Sequence, residues 1–233
     1  MIPKRIFTIW LDENRKPPEL VRRCIESQKI EGYEHRLITL ENCYKDSPYM
    51  QQCLTSPHLK KRYCKASDYL RMHYLLTEGG IYLDADVEML PGKNFDALLD
   101  CKAFVGTETY TGKQSELSVI GPKSSGEFIK AWLANAGKKW GEAIPFLGSA
   151  VVGAERDSPL IEKWLARVES NFRGDDDKNF ESSMSILNDL AYNEGEEVSI
   201  LDADYFFSYC HLTETVSITE RTICYHHFMK SWT

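Results

Sequence analysis

The sequence has no run of 18 consecutive apolar residues, which excludes a hydrophobic helix long enough to span a bilayer. It has no Cys-x-x-Cys pair, although seven cysteines stand at 24, 43, 53, 64, 101, 210 and 224. That spacing excludes the common zinc-ribbon and dithiol redox motifs, and an odd, scattered set fits free buried thiols in a reducing compartment. Positive charge is also short: 28 Lys and Arg stand against 35 Asp and Glu, for a net charge of −7. Nucleic-acid binding depends on Lys and Arg neutralising phosphates, so no nucleic-acid partner is expected. Small anions stay compatible, because a metal or a helix N-terminus makes a local positive site in an acidic protein. The opening Met1 to Phe7 has too short an apolar run for a signal peptide and reads as the start of a strand. A cytoplasmic location is therefore expected, with peripheral contact at the inner face of a membrane compatible with it.

What the sequence does have is a core: 42% of its 233 residues are hydrophobic. Ile6 to Leu11 is a nearly continuous apolar run, as expected for a strand buried on both faces. Pro17-Pro18 opens a helix whose inner stripe is Leu20, Val21, Cys24, Ile25 and Gln28, and Gly32 ends that segment. His35 to Leu40 then predicts a second strand, which completes a βαβ unit. In such sheets ligands bind beyond the carboxyl ends of the strands, and Trp10 stands at one of them. From Leu59 to Glu78, the positions Leu59, Tyr63, Ala66, Leu70 and Tyr74 recur at helical spacing, with Asp68 and Arg71 on one face. Gly79-Gly80 stops this helix, and Ile81-Tyr82-Leu83 forms a short strand that delivers Asp84 and Asp86. Later strands are expected at Ala103–Gly106, Val198–Leu201 and Thr222–Tyr225, and a helix at Ser182–Tyr192. A weak repeat aligns Val119–Leu133 with Val151–Leu165 as strand, turn and helix.

Carboxylate oxygens at the exposed end of a strand suit a hard divalent cation, Mn²⁺ or Mg²⁺, that keeps positions open for substrate phosphates. Asp-x-Asp alone is only a turn signal, and the chain contains its own control, since Leu83-Asp84-Ala85-Asp86 recurs as Leu201-Asp202-Ala203-Asp204. The second copy lacks the preceding Gly-Gly and the upstream Ser-Asp-x-x-Arg, so it is assigned to turn geometry. An aspartyl phosphotransferase reading fails at Glu88, where that chemistry wants Thr or Val. At the C-terminus His226 and His227 are neighbours in a strand, so at most one should meet a metal.

Three blocks, Lys65 to Arg71, Gly79 to Asp86 and His226 to Trp232, together with the opening Ile2 to Trp10, resemble glycosyltransferase family 32, which includes capsular polysaccharide sugar transferases. The resemblance implies an α/β fold of GT-A type, a Rossmann-like mixed sheet with flanking helices, in one domain over 1–233. Residues 1–100 would bind the nucleotide sugar, 101–221 mainly the acceptor, and 222–233 would return to the active site. It implies a metal-dependent, retaining hexosyltransferase using Mn²⁺ (or Mg²⁺), with Asp84, Asp86 and one of His226 and His227 as the metal set and Asp84, Asp86 and Arg71 as the catalytic set. Trp10, Asp68, Arg71, Tyr82, Asp84, Ser231 and Trp232 would hold the donor, with a UDP-hexose ranked ahead of GDP-mannose. The acceptor would be a glycan or lipid-linked sugar. A non-catalytic or hydrolytic nucleotide-sugar-binding protein of the same fold is the alternative. Glu108 and Glu142 are acceptor-side carboxylates whose structural roles weigh more heavily, and residues 107–175 match the family poorly.

Overall fold

The computed structural model describes residues 1–12, 16–55, 62–108, 146–171, 183–210 and 215–229. The repeat partner 119–133, Glu142, Ser231 and Trp232 lie outside them. The opening βαβ unit forms as expected, with β1 (Arg5–Ile9), α1 (Glu19–Ser27) and β2 (Glu34–Ile38), and β1 and β2 pair in parallel. The second strand stops two residues short of the predicted Leu40. Asn42 explains this: its side-chain oxygen accepts from Thr39 N–H at 2.7 Å and its amide donates to Leu37 C=O at 3.0 Å, which turns the chain out of the sheet.

The chain continues through α2 (Pro48–Thr55), α3 (Arg62–Glu78), β3 (Gly80–Leu83), β4 (Val87–Met89) and β5 (Ala103–Glu108). Then come β6 (Phe146–Ala154), α4 (Pro159–Asn171), α5 (Ser183–Tyr192) and β7 (Ser199–Leu201). Two short strands, β8 (Tyr209–Cys210) and β9 (Thr215–Val216), pair with each other, and β10 (Cys224–His226) pairs with β4. The main sheet runs β2-β1-β3-β6-β5-β7. β6 is antiparallel to both β3 and β5, while the other five strands share one direction. The residues that follow β1, β3, β5 and β7 therefore emerge at a single edge. Because β6 sits between β3 and β5, the early and late parts of the chain share one sheet.

Strand alternation divides the core into two faces. Phe7, Ile9, Tyr82, Val105 and Val152 pack on the side of α3, and Ile6, Ile81, Leu83, Phe104 and Val151 pack on the other. α3 is buried nearly all round instead of along one stripe, because α2, α4, β1 and β3 enclose it. That enclosure puts Lys65, Ser67 and Arg71 inside the protein among apolar neighbours. Six cysteines among the described residues are free thiols, four of them buried.

The paired glycines do what the sequence assigns to them. Gly79 and Gly80 take φ of +67° and +132°, and a Cβ there would lie 2.6 Å from Arg156 N and 2.7 Å from Arg5 O. Backbone cannot yield as a flexible side chain can, so only glycine lets α3 pass directly into β3. Gly80→Ala should cost at least ~2 kcal/mol in urea unfolding, strain and overpacking together. Gly92→Ala, at φ +73° with open space around it, should cost about 1 kcal/mol. Equal losses at the two sites would contradict this account.

Candidate active site

Asp84 is the first residue beyond β3, and its N–H donates to Ala150 C=O at 2.8 Å. Two-residue alternation places its side chain over Tyr82, whose hydroxyl donates to Asp84 Oδ1 at 2.6 Å. α3 lies on that same face and brings Arg71, whose Nη2 is 3.2 Å from both Asp84 Oδ1 and Asp68 Oδ1. The guanidinium carbon stands 4.4 Å from the Tyr82 ring centroid, a cation–π contact. At 5% exposure Arg71 is no surface partner. Its carboxylate partners are 21% and 27% exposed, so losing one of them costs between the less than about 1 kcal/mol of a surface pair and the about 3–5 kcal/mol of a fully buried one.

Burial pushes the Asp68 carboxyl up to about 6, with Arg71 opposing and Asp84 adding to the rise. Burial and the Asp84 charge push the Tyr82 hydroxyl far above its usual range, so it stays a donor. Burial works against the Arg71 charge, but Tyr82, Asp68 and Asp84 more than restore it.

Asp86 is held from the C-terminal strand. His226 Nε2 is 3.1 Å from Asp86 Oδ1 and 3.7 Å from Asp84 Oδ2. His227 N–H donates to Asp86 C=O at 3.1 Å, and Met229 N–H donates to Asp86 Oδ2 at 2.7 Å. Between these two donors Phe228 takes the left-handed region, at φ +52°, which bends the backbone round the carboxylate. Burial alone would raise Asp86, but His226 and the Met229 amide bring it below its ordinary value. Burial likewise opposes charge on His226, and Asp86, Asp84 and Glu108 push it up to about 9.

Ligand atoms of Asp84, Asp86 and His226 all lie within 4.8 Å of one another. Two hard carboxylates and one imidazole fit Mn²⁺ or Mg²⁺, and so small a donor set leaves coordination positions for phosphate oxygens. His227, the other candidate for that set, is elsewhere: its Nε2 is 2.8 Å from Glu88 Oε2. Adjacent strand residues face opposite ways, which is why the pair divides. Glu88 also meets Arg23 at 3.1 Å and Tyr225, so the Cys24–Glu88–His227 group is balanced by a cation of its own.

Trp10 follows β1 at the same edge and packs with Val21, Ile25 and Ala85, with Met229 against them. It is 8% exposed, so a base would meet only its rim in this conformation. Glu108 ends β5 at this edge, 6% exposed, and its charge acts on His226. The second Leu-Asp-Ala-Asp lies on a 3₁₀ turn, with Asp202 and Asp204 each 2.9 Å from Arg221. The Met229 amide could not be found from residue types, because any residue supplies a backbone N–H. Gln28 carried a legible signal, as a polar residue on an apolar helical stripe, and the structure shows what it grips.

A histidine held above its unfolded value of 6.5 contributes stability below that pH, and the contribution disappears as pH rises through about 9. Without divalent ions, melting temperature should fall between these pH values, and His226→Gln should flatten that part of the profile. Identical profiles for both proteins would remove His226 as the cause.

A profile of the capsular polysaccharide synthesis protein family matches residues 1–134. No curated protein matches the chain. Among solved structures, mouse xyloside xylosyltransferase 1 in its apo form is similar over 95% of this chain and 96% of its own, with 13% identity and a TM-score of 0.54. The PaToxG glycosyltransferase is similar over 82% and 70%, with 17% identity and a TM-score of 0.50. The apo glycosyltransferase GlyE of Streptococcus pneumoniae TIGR4 is similar over 98% and 55%, with 9% identity and a TM-score of 0.51. At these identities the likeness is one of fold. With 134 of its 233 residues matched and this sheet beneath the acidic site, the chain belongs to the capsular polysaccharide synthesis protein family and has the GT-A glycosyltransferase fold.

Proposed function

We propose that the chain is a metal-dependent, retaining glycosyltransferase that moves a hexose from a nucleoside diphosphate sugar, a UDP-hexose ahead of GDP-mannose, to a glycan or lipid-linked sugar. One observation carries this reading: beside the Asp84–Asp86–His226 group, Arg71 Nε and Nη1 are buried without a hydrogen-bond partner among the described residues, as is Ser67 Oγ one turn earlier on α3. Buried donors without acceptors are costly, and phosphate or sugar oxygens would satisfy them. A cation-binding carboxylate pair next to spare guanidinium donors matches a diphosphate, whose charge needs both.

In this reading Asp84, Asp86 and His226 hold Mn²⁺ or Mg²⁺. The ion supplies Lewis-acid stabilisation of the departing diphosphate. Arg71, fixed by Asp68 and Tyr82, adds a preorganised positive charge on the same leaving group at no cost in reorganisation. Asp68 and Ser67 face the donor sugar and its phosphate. Trp10 gives the base an aromatic edge, and the segment from His226 onward covers the diphosphate, with Ser231 and Trp232 assigned to that cover by family resemblance alone. In a front-side transfer the bond from the anomeric carbon to the diphosphate oxygen breaks while the acceptor oxygen bonds on the same face. The acceptor proton passes to the departing phosphate oxygen, so no protein nucleophile is required.

No helix of the described residues is long and apolar enough to cross a membrane. Asp86→Asn should keep the fold by circular dichroism while Mn²⁺-dependent release of nucleoside diphosphate drops at least about 100-fold. Normal turnover in that variant would sink the reading. NMR of the product linkage should show the donor's anomeric configuration, and an inverted anomer would refute retention.

A further inference from the structure

The Asp84–Asp86 turn is held from the opposite face of the sheet by a residue with no part in the site described above. Gln28, at the C-terminal end of α1, is fully buried. Its side-chain nitrogen lies 2.9 Å from Asp84 C=O and 2.8 Å from Val87 C=O, the two ends of the turn. Both of those atoms can only accept, so the nitrogen must be the end of the amide that faces them. The amide oxygen then faces Thr8, whose hydroxyl donates to it. Thr8 Oγ1, having used its proton, accepts from His35 Nε2 at 3.0 Å. The chain His35, Thr8, Gln28 and the two carbonyls therefore has one direction from end to end.

We infer that Gln28 is a positioning residue: its carboxamide, oriented by Thr8, sets the spacing of Asp84 and Asp86 and so the affinity of their carboxylates for a divalent cation. Val87 N–H also donates to Asp84 C=O, at 3.0 Å, so one local bond closes the turn. A four-residue turn closed by one bond tolerates sliding, and two further bonds to a single planar group remove that freedom. Alternation explains why the grip comes from this side. Thr8 lies on the face opposite Phe7 and Ile9, away from Tyr82 and Arg71, so α3 fixes the Asp84 side chain while α1 fixes the backbone that carries both side chains. Gln28 touches no reacting atom. Outer groups that orient ligands typically change metal affinity by about 10- to 100-fold.

This inference rests on the proposed metal function, and its test separates the two. Gln28→Met keeps size and loses both ends of the amide, and Thr8→Val keeps the amide but removes what orients it. Mn²⁺ binding is followed by electron paramagnetic resonance of the free ion, and amide hydrogen exchange is read on peptides covering 84–89 in metal-free protein. Gln28→Met should weaken Mn²⁺ binding by about 10- to 100-fold, with turnover at saturating Mn²⁺ within about threefold of the original protein. Thr8→Val should show a smaller shift in the same direction, which keeps the test decisive if Gln28→Met does not fold. In both variants exchange should rise in 84–89 and stay unchanged in α3. Unchanged exchange in 84–89 would overturn the clamp, as would unchanged Mn²⁺ affinity in a folded variant. If the original protein binds no Mn²⁺ while exchange still rises selectively, the metal reading and the positioning role toward it both fall. The clamp then stands only as a turn lock.

Discussion

Asp84 and Asp86 hold two carboxylates within 4.8 Å of each other and of His226, and their mutual repulsion has to be balanced before the chain can close around them. The structure balances it from separate directions. Arg71 from α3 and the Tyr82 hydroxyl from β3 neutralise and bond Asp84, while His226 and the Met229 amide do the same for Asp86 from the C-terminal segment. Asp84 is matched by its own strand and the helix just before it, and Asp86 by residues 140 or more positions away, so the acidic pair assembles only when β3, α3 and β10 are all in place. The second Leu-Asp-Ala-Asp shows the contrast: one exposed arginine, Arg221, closes both carboxylates.

Much of this follows from the order of strands. Because β1, β3, β5 and β7 share one direction, Trp10, Asp84, Glu108 and Asp202 are brought to the same edge, although 192 residues separate the first from the last. The reversed strand β6 sits between β3 and β5 and supplies the Ala150 carbonyl that anchors Asp84 N–H. α3 brings a buried arginine to the opposite side of Asp84 from the C-terminal strand. The site is thus a seam between the sheet edge and the β4–β10 pair, and its charges are part of what joins them.

The residues that could be read from sequence are those whose side-chain chemistry is local and periodic. Asp68 and Arg71 share a helical face, Gly79-Gly80 marks a junction no other residue permits, and Leu83 leads into a carboxylate pair at a strand end. The helical pattern of α3 was legible, but its burial on nearly all sides was not, because enclosure is a property of the neighbours. The division of His226 from His227 was legible in principle from alternation, though not which of them would face Asp86; that depends on the register of Val87 opposite His226. The Met229 amide was invisible, since it is backbone, and so was the end of β2 at Ile38, which Asn42 decides through its own hydrogen bonds.

The central claim is that Asp84, Asp86 and His226 form one cation site whose open side faces Arg71. Anomalous diffraction at the manganese edge, from crystals soaked with Mn²⁺ and a nucleoside diphosphate, tests it most directly. The account predicts one strong peak bonded to all three side chains, with the diphosphate between it and the Arg71 guanidinium. A peak at Cys24, Glu88 and His227 instead, or a bound nucleotide with no peak near Asp86, would contradict it.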